Sequence, residues 1–296
     1  GENITIRGVR VEWTGGPKTS NGAYGIYPVQ TTNVLIEDSV AIGASDAGIY
    51  VGQSKTVVVR RNRAERNVAG IEIENSIGAD VYENTATDNT GGILVFNMPN
   101  LPQPGHTTRV YRNKVFANNT GNFAAKGAAV ASVPAGSGVV INSNDQVEIF
   151  DNDIADNQTA NVIVSSYFST GYMTEKGVAK AFDPYPEEIA IHGNRFKGGG
   201  DRPDGLDLKA LKVAMFGLNG RLPDVLWDGY VNAQRAGGPQ VCIDNGEVQT
   251  LNADGPNKDK NPSLVTDKVL STLPPLPVVT LPGEAAASAA KAAPSA

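Results

Sequence analysis

Cysteine is almost missing from this chain: Cys242 stands alone among 296 residues, so no disulfide framework within the chain is available and no thiol chemistry is indicated. Histidine is nearly as scarce, with two in all, which leaves no His or Cys cluster of the kind that ligates a metal. No metal and no cofactor are expected. Positive charge is in deficit: the net charge is −6 and the pI about 5.1, which argues against a nucleic-acid partner. No apolar run approaches the ~20 residues of a membrane span. Phosphate loops and nucleophile elbows are also lacking. No leader is visible, and the chain opens directly on the strand-like NITIRGVRVEW. We read it as a chain trimmed of its own N-terminus.

What the chain does have is a repeat. Glycine followed by two alternating apolar positions recurs as GIYPV at Gly25, GIYVG at Gly48, GIEIE at Gly70, GILVF at Gly92 and GVVIN at Gly138. NVIVS at Asn161 is a sixth copy without the glycine. The starts are spaced 23, 22, 22, 46 and 23 residues apart, so the long interval is two periods. A second mark ends the segments NVLIEDS, VVVRRNR, ADVYENT, TRVYRNK, VEIFDND and IAIHGNR, at Asp38, Asn62, Asn84, Asn113, Asn152 and Asn194. A third follows five residues later at Gly43, Asn67, Asn89, Asn118, Asn157 and Gly199. Three marks per period with β-branched residues between them predict a solenoid of short parallel strands, its coils stacked ~4.8 Å apart. The asparagines predict side-chain ladders along the axis and left-handed turns between strands.

The residues that carry these marks resemble the right-handed parallel β-helix repeat proteins, a superfamily that includes pectate lyases, alginate epimerases and periplasmic NosD-like proteins. They are closest to a family of exported bacterial β-helix proteins whose activity is not established and whose genes often sit beside a partner gene. The resemblance implies an all-β right-handed parallel β-helix over residues 1–199 and an exported chain, periplasmic or extracellular. After 199 the repeat stops at GGGDRPDGLD. Residues 200–256 read as a cap over the open sheet edge, and 257–296 as a Pro/Ala-rich disordered tail or linker.

Period two sorts the strand faces. In the second strand the residues before the terminal mark alternate in sign: Glu37, Arg61, Glu83, Arg112 and Asp151. They read as structural charge pairs rather than a basic patch. Two places before the mark, Ile36, Arg60, Tyr82, Tyr111, Phe150 and His192 read as a stack, with Arg60 over Tyr82. In the first strand the outward column is Tyr27, Tyr50, Glu72, Leu94, Val140 and Ile163, followed by Val29, Gly52, Glu74, Phe96, Asn142 and Ser165. Glu72 and Glu74 have no arginine in their columns. Beside them runs an amide-rich row that includes Asn75 and Asn97.

Insertions point to the same face. NMPNLPQPGH, with His106, and the aromatic stretch from Ser166 to Pro186, with Tyr167, leave the coil after the first strand. A third, TGNFAAKGAAVASVPAGS, emerges from another corner and is expected only to cap a side. Two carboxylates two residues apart on a strand lie ~6–7 Å apart, a spacing that suits acid and base work on a glycosidic bond. A lyase or epimerase would instead need a base, for which His106 or Tyr50 could serve, and a cation that this face lacks. The Asp-Pro-His-Asp stretch of the alginate epimerases is absent. The expected site is therefore Glu72, Glu74 and His106 for any chemistry, with Tyr27, Tyr50, Asn75, Phe96, Asn97, Asn142 and Tyr167 for sugar contacts. Binding of a polysaccharide, with or without processing as hydrolase, lyase or epimerase, is one function that fits; a non-enzymatic scaffold for a partner protein at the cell envelope is the other.

Overall fold

The computed structural model describes residues 1–170, 182–236, 241–246, 248–265 and 273–283. Each coil turns through three parallel sheets. Sheet A stacks Glu2–Arg7, Thr32–Glu37, Lys55–Arg60, Ile77–Tyr82, His106–Tyr111, Asp145–Phe150, Ile189–His192 and Val241–Asp244. Sheet B is built of three-residue strands, from Arg10–Glu12 to Arg195–Lys197. Sheet C runs from Tyr24–Ile26 through Ala47–Gly52, Ala69–Glu74, Gly91–Phe96, Ser137–Asn142, Ala160–Ser165 and Val225–Trp227 to Thr250–Asn252. Ser263–Val265 closes it antiparallel.

The core is a set of columns. Ile49, Ile71, Ile93, Val139 and Val162 stack from sheet C, and Val59, Val81, Val110, Ile149 and Ile191 from sheet A, all fully buried. Each such side chain contributes roughly 1.5–3 kcal/mol on leaving water. β-Branched side chains suit these positions because they stack on like neighbours across a pleated surface.

Two asparagine ladders lock the corners. Asn62, Asn84, Asn113, Asn152, Asn194 and Asn245 pass each backbone N–H and each Nδ2 to the Oδ1 of the next member, at 2.8–3.1 Å. Asn67, Asn89, Asn118 and Asn157 do the same on the next corner. The ladder starts at Ser39, whose N–H meets Asn62 Oδ1, and not at Asp38. The left-handed turn also falls one residue earlier than expected. Asp38, Arg61, Glu83, Arg112 and Asp151 hold φ between 52° and 56°. Their side chains point to solvent, whereas the following asparagine is buried and reaches along the axis.

That shift corrects the outward column of sheet A. Glu37, not Ile36, lies over Arg60. Burial alone would raise the Glu37 pKa, yet Arg60, Arg7 and Arg61 lower it to about 2. The rings of Tyr82, Tyr111, Phe150 and His192 then stack at 4.9, 4.9 and 5.3 Å. Arg60 donates to the Tyr82 hydroxyl at 2.9 Å instead of covering its face. The cations over the rings are Arg109, 4.8 Å from the Tyr111 centroid, and Arg112, 5.0 Å from that of Tyr111 and 5.7 Å from that of Tyr82.

Sheets A and C continue past Gly199, so strands inside 200–256 extend the stack instead of only covering it. The helix Leu206–Phe216 packs Leu208 and Leu211 against Leu222, Leu226 and Leu251. Part of the expected tail is ordered: Leu281 is buried against Leu35 and Val58 of sheet A. Residues 284–296 lie outside the described residues.

Candidate functional site

Tyr50, Glu72, Leu94, Val140 and Ile163 share one outward column of sheet C, and Gly52, Glu74, Phe96, Asn142 and Ser165 the next. Both columns point away from the core, as alternation requires. They are not open to water. The third insertion folds across this face, where Val130 and Val133 form one cluster with Tyr50, Leu94, Phe96 and Val140. Glu72 is only 1% exposed, and its Oε2 has no hydrogen-bond partner. The insertion thus does more than cap a side: it closes the expected groove.

One end stays accessible. Tyr27, 51% exposed, stacks on Tyr24 at 4.2 Å, and both rings meet Tyr50 at 4.9 and 4.8 Å. Beneath them the Tyr50 hydroxyl donates to Glu74 Oε1 at 2.6 Å, and Gln53 Nε2 donates to both groups at 3.1 Å. Gln53 reaches them from a left-handed corner, with φ 47°. Gly52 is required because any Cβ there would collide with the Tyr50 ring.

Three carboxyls gather around these tyrosines. Burial raises the Asp46 pKa to about 6, with the nearby Tyr24 hydroxyl acting against it. Burial, then repulsion from Glu74 and Asp46, pushes Glu72 well above the carboxylate range. Glu74 is raised by burial against the hydrogen bonds from Tyr50 and Gln53. Burial followed by nearby carboxylates raises the tyrosines Tyr24 and Tyr50, which stay neutral donors. A buried carboxyl beside two others holds its proton near neutral pH. The group therefore offers an aromatic platform, neutral hydroxyls and acceptor oxygens.

A family model described as the right handed beta helix region matches residues 1–171. The chain belongs to the right-handed β-helix family. No curated protein matches it. Among solved structures it is similar to the periplasmic alginate epimerase AlgG, with 18% identity and a TM-score of 0.47 over 67% of this chain and 43% of that one. It is also similar to the A-module of the Azotobacter vinelandii mannuronan C-5 epimerase AlgE6, with 18% identity and a TM-score of 0.46 over 84% of this chain and 60% of that one. The chain spans less than two thirds of either. No helix among the described residues is long and apolar enough to cross a membrane.

The remaining expected residues of this β-helix protein are dispersed. His106 opens a strand of sheet A, in register with Ile77 and Asp145, and its Nδ1 meets Thr107 Oγ1 at 2.8 Å. It stands in a different sheet from Glu72 and Glu74. The amides serve the loops: Asn75 donates to the Met98 and Gln103 carbonyls, Asn97 bonds both ways with Gly105, and Asn142 donates to Ser165 Oγ and the Ser166 carbonyl. Phe96 and Tyr167 are buried, Tyr167 edge-on to Phe182 at 5.1 Å. Tyr24 and Asp46 were not expected at the site, whereas Gln53 belongs to the amide-rich row beside the two glutamates. A signal existed for Tyr24, since its column continues as Ala47, Ala69, Gly91, Ser137 and Ala160, and one aromatic among small residues is anomalous. Asp145, Asp183 and Glu187 bring carboxylate oxygens within 4.8 Å of one another, but Arg235 already pairs with Glu187.

Proposed function

We propose that this β-helix protein binds a polysaccharide at the Tyr24–Tyr27–Tyr50 platform. The half-exposed ring of Tyr27, stacked on Tyr24 and held by a tilted contact with Tyr50 beside Glu74 and Gln53, carries this reading. An aromatic face accepts the apolar side of a sugar ring, and a platform already fixed by stacking loses little entropy on binding. Carboxyl and amide groups at its edge suit sugar hydroxyls. The acidic surroundings disfavour uronates, so a neutral glycan is the preferred class. Binding rather than bond cleavage fits the burial of Glu72. Such ligands are met in the envelope or outside the cell, which agrees with the exported setting expected from the sequence.

The test is NMR of neutral and uronate polysaccharides with the full chain. Line broadening with a neutral glycan, weakened about tenfold by Tyr27→Ala, is expected from the loss of one stacking ring. No broadening with any glycan would sink the proposal. New unsaturated or inverted sugar signals that disappear in Glu72→Gln would turn binding into catalysis.

A protein partner is the second reading. The helix Leu206–Phe216 favours it, because none of its residues is buried and Leu206 is 83% exposed. Leu206→Glu should then abolish partner binding and leave glycan binding unchanged.

A further inference from the structure

The segment LPPLPVVTLPG, residues 273–283, lies on the outer face of sheet A, away from the tyrosine platform. Its burial has a period of three: Leu273, Leu276 and Val279 turn toward the sheet, while Pro274, Pro275, Pro277, Val278 and Thr280 are exposed. That is the period of a polyproline II helix, which has three residues per turn. The contacts keep the same spacing. Leu276 N–H donates to Glu148 Oε2 at 3.1 Å and Val279 N–H to Asp80 Oδ2 at 3.4 Å. Asp80, Arg109 and Glu148 follow one another in a single column, so the two acceptors are two coils apart. Two coils span ~9.6 Å and one polyproline turn ~9.3 Å, and the two lattices match.

The face has the other elements of a peptide groove. Tyr82, Tyr111 and Phe150 form an aromatic wall along it, and Leu35 with Val58 makes the apolar seat that buries Leu281. The fit is incomplete at one end. A cavity of about 270 Å³ lies among Leu273, Pro275, Pro277, Gln146, Glu148 and Ala190.

We propose that the outer face of sheet A is a recognition site for proline-rich peptides in the polyproline II conformation, occupied here in cis by the chain's own residues 273–283. It selects a peptide with backbone N–H groups three residues apart, aimed at Glu148 and Asp80, and a leucine two residues after the second. A cis segment competes at the high effective concentration of a tethered ligand, so a peptide in trans binds only when the strap is weakened.

The test uses the full chain and the labelled peptide LPPLPVVTLPG, read by fluorescence anisotropy. The double substitution Leu276→Pro and Val279→Pro in the chain removes both anchoring N–H groups while retaining the polyproline geometry. The peptide is expected to bind this variant at least about tenfold more tightly than the wild type, matching the loss of roughly 1.4 kcal/mol of cis anchoring. A peptide carrying the same two substitutions should not bind it. Failure of the unmodified peptide to bind a folded variant, or equal binding of both peptides, overturns the proposal. Amide hydrogen exchange on the wild type decides the matter independently of whether the variant folds. Slow exchange at Leu276 and Val279 with fast exchange at Val278 and Thr280 supports docking; uniformly fast exchange across the four refutes it.

Discussion

Glu72 sits between Tyr50 and Leu94 in its column, buried, with one oxygen unpartnered and two other carboxyls nearby. A polar group of this kind costs about 1–3 kcal/mol relative to an apolar replacement of similar size. Glu72→Leu should therefore stabilise the protein by about that amount at pH 7, read as a higher urea midpoint with an unchanged slope. Tyr50→Phe should act in the opposite sense. It removes the donor that holds Glu74 at 2.6 Å, a hydrogen bond worth roughly 0.5–1.5 kcal/mol. Equal midpoints for Tyr50→Phe and wild type would contradict that role. The alternation in GIEIEN was enough to turn both glutamates away from the core. It carried no information about Val130 and Val133, which arrive from more than fifty residues away to close the face.

The asparagine ladder acts as one element, each rung satisfying buried groups on two neighbouring coils. Asn113 donates to the Val81 carbonyl and to Asn152, and accepts from the N–H and Nδ2 of Asn84. Asn113→Ala strands several of these, at roughly 1–3 kcal/mol per buried unsatisfied group. It should cost more than Asn245→Ala at the partly exposed end of the ladder, as measured by denaturant unfolding of both variants. The ladder was legible because its members recur at coil spacing. Its first member was not, since EDS offers an aspartate where the structure uses the next residue. Ser39 suffices there because its Oγ accepts the Val9 N–H of the preceding coil while its own N–H reaches Asn62.

Across the whole molecule, raised and lowered carboxyls set opposing pH limits. Burial raises Asp46 and Asp80 to about 6 and Asp145 to about 7, and Glu72 and Glu74 move in the same direction. Groups raised in the folded state bind more protons than in the unfolded chain, so their contribution is lost as pH rises through 6–7. Glu37 is lowered to about 2 from 4.5, and its contribution is lost as pH falls through that interval. Thermal stability should rise from pH 8 to about 5 and fall below about 4. A thermal midpoint that climbs steadily from pH 5 to 8 would contradict the burial of the acidic cluster. Asp46→Asn should flatten the upper limb.

The sequence by itself determined the coil, its inward columns and its corner ladders. Each depends on identical positions of adjacent repeats meeting at ~4.8 Å, a nearest-neighbour rule that period and residue type express directly. Only the tertiary structure decided which outward columns are covered and which stay open. The covers lie outside the repeat: an insertion over sheet C, and a segment that reaches Asp80 from 199 residues further along the chain. No periodicity encodes where they dock. Their seats are fixed by apolar fit and by a few N–H groups finding buried carboxylates, which become neighbours only once the solenoid has formed.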